Sequence, residues 1–93
     1  MTIMKFCAVF EALGCEIRLK VFDFIIQSGE VGVTPKEIVE QFGVDSGTLQ
    51  FHLKKLINVN LVSKKNTRRN RRYYCESNIS AVFQQLLLQS NIA

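Results

Sequence analysis

Tryptophan is absent from the 93 residues, proline and histidine occur once each, and cysteine occurs three times. The scarcity of histidine and of cysteine bears directly on function. A transmembrane helix needs about 18 to 20 apolar residues in series, and no run here comes near that, so no membrane span is expected. His52 is the single histidine, and no pair of carboxylates is placed to act in its stead. Acid–base catalysis has too little to work with, and an enzyme is not expected. Cys7, Cys15 and Cys75 are odd in number and widely spaced, with no CxxC or Cys/His cluster. That argues against a disulfide framework and structural zinc, and it fits a reducing, cytoplasmic setting with no metal or cofactor. The N-terminus has a faint likeness to a lipoprotein signal, with Lys5 before FCAVF and ALGC ending at Cys15. Glu11 interrupts its apolar centre, so the segment is expected to be a helix of the mature domain.

What is present is a core and a concentrated charge. A hydrophobic fraction of 47% over 93 residues allows one domain, spanning 1–93, whose modest burial would gain from pairing with a second copy. Lys64, Lys65, Arg68, Arg69, Arg71 and Arg72 fall within the nine-residue segment KKNTRRNRR, which contains no acid. Taking these six from the twelve Lys and Arg leaves six basic against eight acidic residues, so the remainder is −2 and the segment +6. A local anion is the expected partner.

Phe6, Val9, Phe10 and Leu13 recur at helical spacing, which predicts a first helix over 3–13 with Gly14 as its stop. From Cys15 to Gln27 apolar residues occupy most sides, with Ile17, Val21, Phe22, Ile25 and Ile26 inward. This second helix is expected at the buried centre, ended by Gly29 and Gly32. Thr34, Pro35 and Glu37 form a capping box for a short third helix over 35–42, closed by Gly43. After GVD, Asp45 or Ser46 caps a fourth helix whose Leu49, Leu53, Leu56 and Ile57 face inward. Two short helices joined so tightly are a helix-turn-helix. The period then changes, because LVSKK and RRYYC are β-prone and flank the charged tip NTRRN. Residues 79–90 return to helical spacing with Ile79, Val82, Phe83, Leu86 and Leu87 on one face. The expected fold is mostly α with a small β-hairpin, a winged helix-turn-helix.

The fourth helix is unusual on its outer side. A helix exposed only to water would carry Glu and Lys there, but this one carries Ser46, Gly47, Thr48, Gln50, Phe51 and Lys54. A DNA major groove admits one helix, and the N-terminal turn approaches the bases most closely, so small residues there permit entry. Gln50 can pair with adenine, and Phe51 can pack on a thymine methyl. Lys54 and Lys55, further along, suit phosphates, as do the six wing cations. Thr34 and Lys36, at the start of the third helix, complete the candidate DNA-contacting set. His52 is expected at the helix-turn-helix seam rather than on a base, and Tyr73 and Tyr74 are expected to pack the strand onto the core.

With LGCEIRLKVFDFI, QFGVDSGTLQFHLKKL and LVSKKNTRRNRRYYC in this order, the chain resembles the ArsR family of bacterial winged-helix repressors over nearly its whole length. TLQFHLKKL is similar to the recognition helix of the family's arsenic-responsive branch. The resemblance implies a homodimer paired through residues 3–13 and 79–90 that binds double-stranded operator DNA and releases it when an inducer acts. The chain departs from the family at the sensor. Where some members carry CVC in the third helix, the nearest residues are Thr34 and Lys36. The last helix lacks the Asp and His of a second site type, and the chain ends QSNIA, where the arsenic-responsive branch has adjacent cysteines. Cys7, expected as a small core residue, Cys15, opening the second helix where it could be reactive, and Cys75, closing the hairpin, are the remaining thiols. Two rivals therefore stand beside the repressor: a protein-interaction module anchored by Phe51, and a thiol or metalloid sensor using two of these cysteines.

Overall fold

Turn and capping chemistry sets the boundaries of the helices. The computed structural model describes residues 2–66 and 70–76, with side chains from Cys7 onward. Within them lie helices α1 (Thr2–Leu13), α2 (Glu16–Ser28), α3 (Pro35–Phe42) and α4 (Ser46–Asn58), then strands β1 (Val62–Asn66) and β2 (Arg71–Cys75). The helix expected over 79–90, and Arg68 and Arg69 at the wing tip, lie outside the described residues.

The capping box forms as expected. Thr34 Oγ1 accepts from the Glu37 N–H at 3.2 Å, and Glu37 Oε1 accepts from the Thr34 N–H at 2.9 Å. Two of the amides that a helix start leaves unpaired are thereby satisfied. Gly43 then adopts the left-handed conformation (φ +71°, ψ +20°) and its N–H donates to Val39 O, so α3 stops and the chain turns at once into α4. α4 ends through Asn60, which has φ +64°. The Asn60 N–H donates to Ile57 O at 2.9 Å and the Leu61 N–H to Leu56 O at 3.0 Å, the paired bonds of a Schellman ending. Leu61 is buried directly afterwards, and β1 begins at the next residue.

Val21, Phe22 and Ile25 of α2 are wholly buried, as are Ile38 of α3 and Leu49 and Leu56 of α4. Ile17 and Ile26 flank this core half-buried. Each such side chain contributes about 1.5–3 kcal/mol of apolar burial, which places α2 at the centre of the domain. Phe24 and Phe42 meet edge to face, with ring centroids 5.5 Å apart, and tie α2 to the end of α3.

β1 and β2 pair antiparallel with Val62 opposite Cys75 and Asn66 opposite Arg71. Tyr73 is buried in the core, so it packs inward as expected. A further link is not visible in the sequence. Val33, between α2 and α3, bridges to Tyr73, with the Val33 N–H donating to Tyr73 O at 3.0 Å and the Tyr73 N–H to Val33 O at 2.8 Å. The loop after α2 is therefore stitched to the second strand of the hairpin.

α1 corrects one expectation. It packs on the core through Leu13, Ala12 and the half-buried Val9, whereas Phe10 stays 57% exposed. Cys7, expected as a small core residue, is exposed. It stands one turn before Phe10, on the side turned away from Val9, Ala12 and Leu13.

Candidate nucleic-acid interface

α4 is oriented by its buried stripe, Leu49, Leu53 and Leu56, which leaves Ser46, Gly47, Thr48, Gln50, Phe51, Lys54 and Lys55 exposed. Asp45 is the N-cap. Its Oδ2 accepts from the Gly47 N–H at 3.1 Å and the Thr48 N–H at 3.2 Å, and its Oδ1 accepts from the Thr48 hydroxyl at 2.6 Å. The hydroxyl and the amide of Thr48, with the amide of Gly47, hold the Asp45 carboxyl below its ordinary range. This has a chemical consequence for any phosphate. The first amides of α4 are occupied by a carboxylate, so the helix meets a ligand with its side chains rather than with a bare N-terminal anion site. Thr48 keeps its methyl and oxygen lone pairs but commits its hydroxyl hydrogen to Asp45. Thr34 is likewise committed to its cap and half-buried, while Lys36 beside it is exposed.

Phe51 is 54% exposed, unusual for an aromatic ring beside a buried seam. Two cations approach its ring, with Lys55 Nζ 5.5 Å and Arg18 Cζ 5.7 Å from the centroid. His52, next to it, is buried at 6% exposure, and its Nδ1 accepts from Arg18 Nε at 3.2 Å. The neutral ring thus carries its proton on Nε2. Burial first, and the Arg18 charge second, hold the His52 pKa below the ordinary imidazole value. The other arm of Arg18, Nη1, donates to Ala12 O at 2.9 Å. Sequence reasoning missed this buried arginine, although its position was a signal: residue 18 falls on the same helical stripe as Val21, Phe22 and Ile25.

The basic wing divides between two faces. By the pairing register, Lys64 and Arg71 share the face that carries Val62 and Tyr73 inward, whereas Lys65 and Arg72 share the opposite face with Tyr74. Lys64, Lys65 and Arg71 are exposed. Lys65 Nζ sits 5.1 Å from the Tyr74 ring centroid, and Arg71 Nε donates to Asn66 Oδ1 at 3.3 Å. Arg72 is half-buried and turns inward, its Nη1 donating to Gly32 O at 3.2 Å and Val31 O at 3.3 Å. The Tyr74 ring covers Gly32, so the loop and the wing are in close contact on that face too. Among the described residues no group of three or more His, Cys, Asp and Glu side chains is placed to hold a metal ion. Among them, too, no helix is long and apolar enough to cross a membrane.

A helix-turn-helix followed directly by a two-stranded antiparallel wing defines a winged-helix domain. The sequence profile of one family, the O-methyltransferase dimerisation domain, matches residues 1–85, and the chain belongs to that family. Among solved structures, HlyU from Vibrio cholerae superposes with a TM-score of 0.85 at 17% identity, over 100% of this chain and 98% of that one. A homodimeric winged helix-turn-helix DNA-binding domain from Mycobacterium bovis, described as a possible ArsR-family regulator, gives 0.81 at 18% identity over 97% and 82%. NolR from Sinorhizobium fredii gives 0.78 at 21% identity over 98% and 86%. The ArsR-type winged-helix fold expected from TLQFHLKKL and the hairpin is therefore present, and at these identities the likeness is one of fold. No curated protein matches the sequence.

Proposed function

We propose that this chain is the DNA-binding domain of a homodimeric transcriptional repressor. The observation that carries the reading is the pairing of a non-acidic, aromatic-bearing face on α4 with a hairpin whose sequence holds six cations in nine positions. A domain used only for pairing gains nothing from such a hairpin, whose charges repel one another unless an anion neutralises them. In this reading α4 enters a major groove, and Ser46, Thr48, Gln50 and Phe51 choose the sequence. Lys54, Lys55, Lys64, Lys65, Arg68, Arg69 and Arg71 engage phosphates, with Lys36 beside them. Arg72 serves the hairpin's attachment first, and Thr34 the start of α3. Two protomers would place their helices in half-sites centred about 10 bp apart, or a multiple of it, on a pseudo-palindrome.

Selection from a random duplex library at near-physiological salt tests this directly. Enrichment of an inverted repeat is expected, and Gln50→Ala should change which bases are preferred at one position of each half-site. Retention without enrichment would remove the sequence-reading role. The selected duplex is then the probe for arsenite, metal ions and oxidants acting through the thiols of Cys7, Cys15 and Cys75.

The family description favours a second reading, in which the domain's main work is pairing, with the exposed Phe10 of α1 at the contact. Its mark would be a stable dimer with no salt-sensitive affinity for duplex DNA.

A further inference from the structure

Arg18 is buried at 8% exposure, yet no carboxylate pairs with it among the described residues. Taking a guanidinium out of water costs several kcal/mol unless its donors are satisfied, and an apolar residue of similar volume often serves a core better. Residue 18 sits on the core stripe of α2, where leucine or methionine would pack without that cost. The arginine's donors go instead to two other helices. Nη1 meets the Ala12 carbonyl in the last turn of α1, one of the acceptors a helix end leaves without a partner. Nε meets His52 Nδ1 in α4. A guanidinium is planar and its N–H directions are fixed, so two bonds to two elements set their relation as a flexible lysine could not. The same group lies 5.7 Å from the Phe51 centroid, with Lys55 Nζ at 5.5 Å.

We propose that Arg18 is a positioning residue for sequence recognition, locking the rotation of α4 against the end of α1 and fixing the direction in which Phe51 is presented. The proposal deepens the DNA-binding reading and rests on it for its consequence in base choice. α1 is the helix nominated for pairing with a second protomer, so the lock also relates the recognition helix to the dimer axis. The base-contacting ring is thus aligned from behind by a residue that touches no DNA.

The test compares wild type with Arg18→Met, which keeps an unbranched stem of roughly similar volume without the guanidinium, and with Arg18→Lys, which keeps the charge but loses the fork. Affinities are measured for the selected duplex and for a scrambled one across a salt series. Folded Arg18→Met should keep its affinity for the scrambled duplex within about twofold and keep the salt slope, since phosphate contacts are elsewhere. Its preference for the selected duplex should fall about tenfold, comparable to losing one base contact. Arg18→Lys should not restore it. Combining Arg18→Met with Phe51→Ala should be no worse than Phe51→Ala alone, because both act through the same ring. An unchanged preference in folded Arg18→Met, or independent losses in the double variant, would overturn the proposal. If Arg18→Met does not fold, His52→Gln removes the imidazole acceptor with the Ala12 bond left in place, and the same loss of preference is required. A direct readout separates this idea from the DNA-binding reading. In the DNA-free protein, Arg18→Met should move the Phe51 ring resonances toward averaged values. Should wild type show no sequence preference, the DNA reading fails on its own, and unmoved Phe51 resonances would sink the positioning role separately.

Discussion

Replacing Gly32 with alanine measures how tightly the wing is held to the body of the domain. Gly32 has φ +73°, and a Cβ added there would lie 2.5 Å from Tyr74 Cε2, 2.8 Å from Cζ and 2.9 Å from Cδ2. The ring would have to retreat by about 1 Å to reach an ordinary carbon–carbon contact near 3.5 Å. Two costs follow. A left-handed backbone costs an alanine about 1–2 kcal/mol. Displacing the half-buried tyrosine ring forfeits about 1 kcal/mol more of its packing. Gly32→Ala should therefore destabilise the domain by about 2–3 kcal/mol in urea unfolding followed by circular dichroism. Gly43 supplies the internal comparison, because its φ is +71° and nothing lies within 4 Å of its added Cβ. Gly43→Ala should cost only the backbone share, about 1–2 kcal/mol. In a Tyr74→Ala background the Gly32 substitution should drop to that same figure. If Gly32→Ala costs no more than Gly43→Ala, and removing the Tyr74 ring changes nothing, then the contact between loop and wing is not the constraint described above.

Three further outcomes are expected. The His52 pKa is lowered by burial and then by Arg18, so the unfolded chain takes up the proton first. Stability should be complete above about pH 6.5 and fall as pH drops through the folded-state value, so that the urea midpoint is lower at about pH 5.5 than at about pH 7.5. His52→Gln should flatten that interval, and a flat wild-type profile would exclude the linkage. Thr34→Ala should cost about 1 kcal/mol by melting temperature, with Thr34→Ser near neutral, since either hydroxyl can accept from the Glu37 amide. Lys64→Ala and Arg71→Ala should each reduce the salt-dependence slope of duplex binding by about 0.9. Lys20→Ala, whose ammonium pairs with Glu16 along α2, should leave that slope unchanged.

What could be read from the sequence was whatever depends on neighbours in the chain. Thr34-Pro35 with Glu37, and Gly43 after Phe42, mark both ends of α3 because a capping box and a left-handed stop are local devices. The stripe of Leu49, Leu53 and Leu56 likewise declares which side of α4 turns outward. Contacts between distant residues leave no such trace. Val33 and Tyr73 are joined across forty positions by two backbone bonds, and nothing in GEVGV signals that this stretch pairs with a strand. Arg72 reads as one more cation in KKNTRRNRR, and only the fold shows that it turns toward the carbonyls of Val31 and Gly32. Arg18 occupied a core position in plain view, but its charge suggested solvent. The side of α1 that packs inward was ambiguous because its apolar residues exceed what one partner can cover, and the fold buries Leu13 and leaves Phe10 out.

The ending of α4 carries a mechanical consequence. Val59, Asn60 and Leu61 are all that separate α4 from β1, and the amides of Asn60 and Leu61 tie that junction back to the last turn of α4. Helix and wing are therefore set apart like the two jaws of a caliper, the gap defined by a short, hydrogen-bonded junction. In the DNA-binding reading proposed above, a target is gripped only if groove and neighbouring backbone match that gap, and association spends little conformational entropy aligning one jaw with the other. Lengthening the junction by a single residue would reset the gap while leaving every contacting side chain in place.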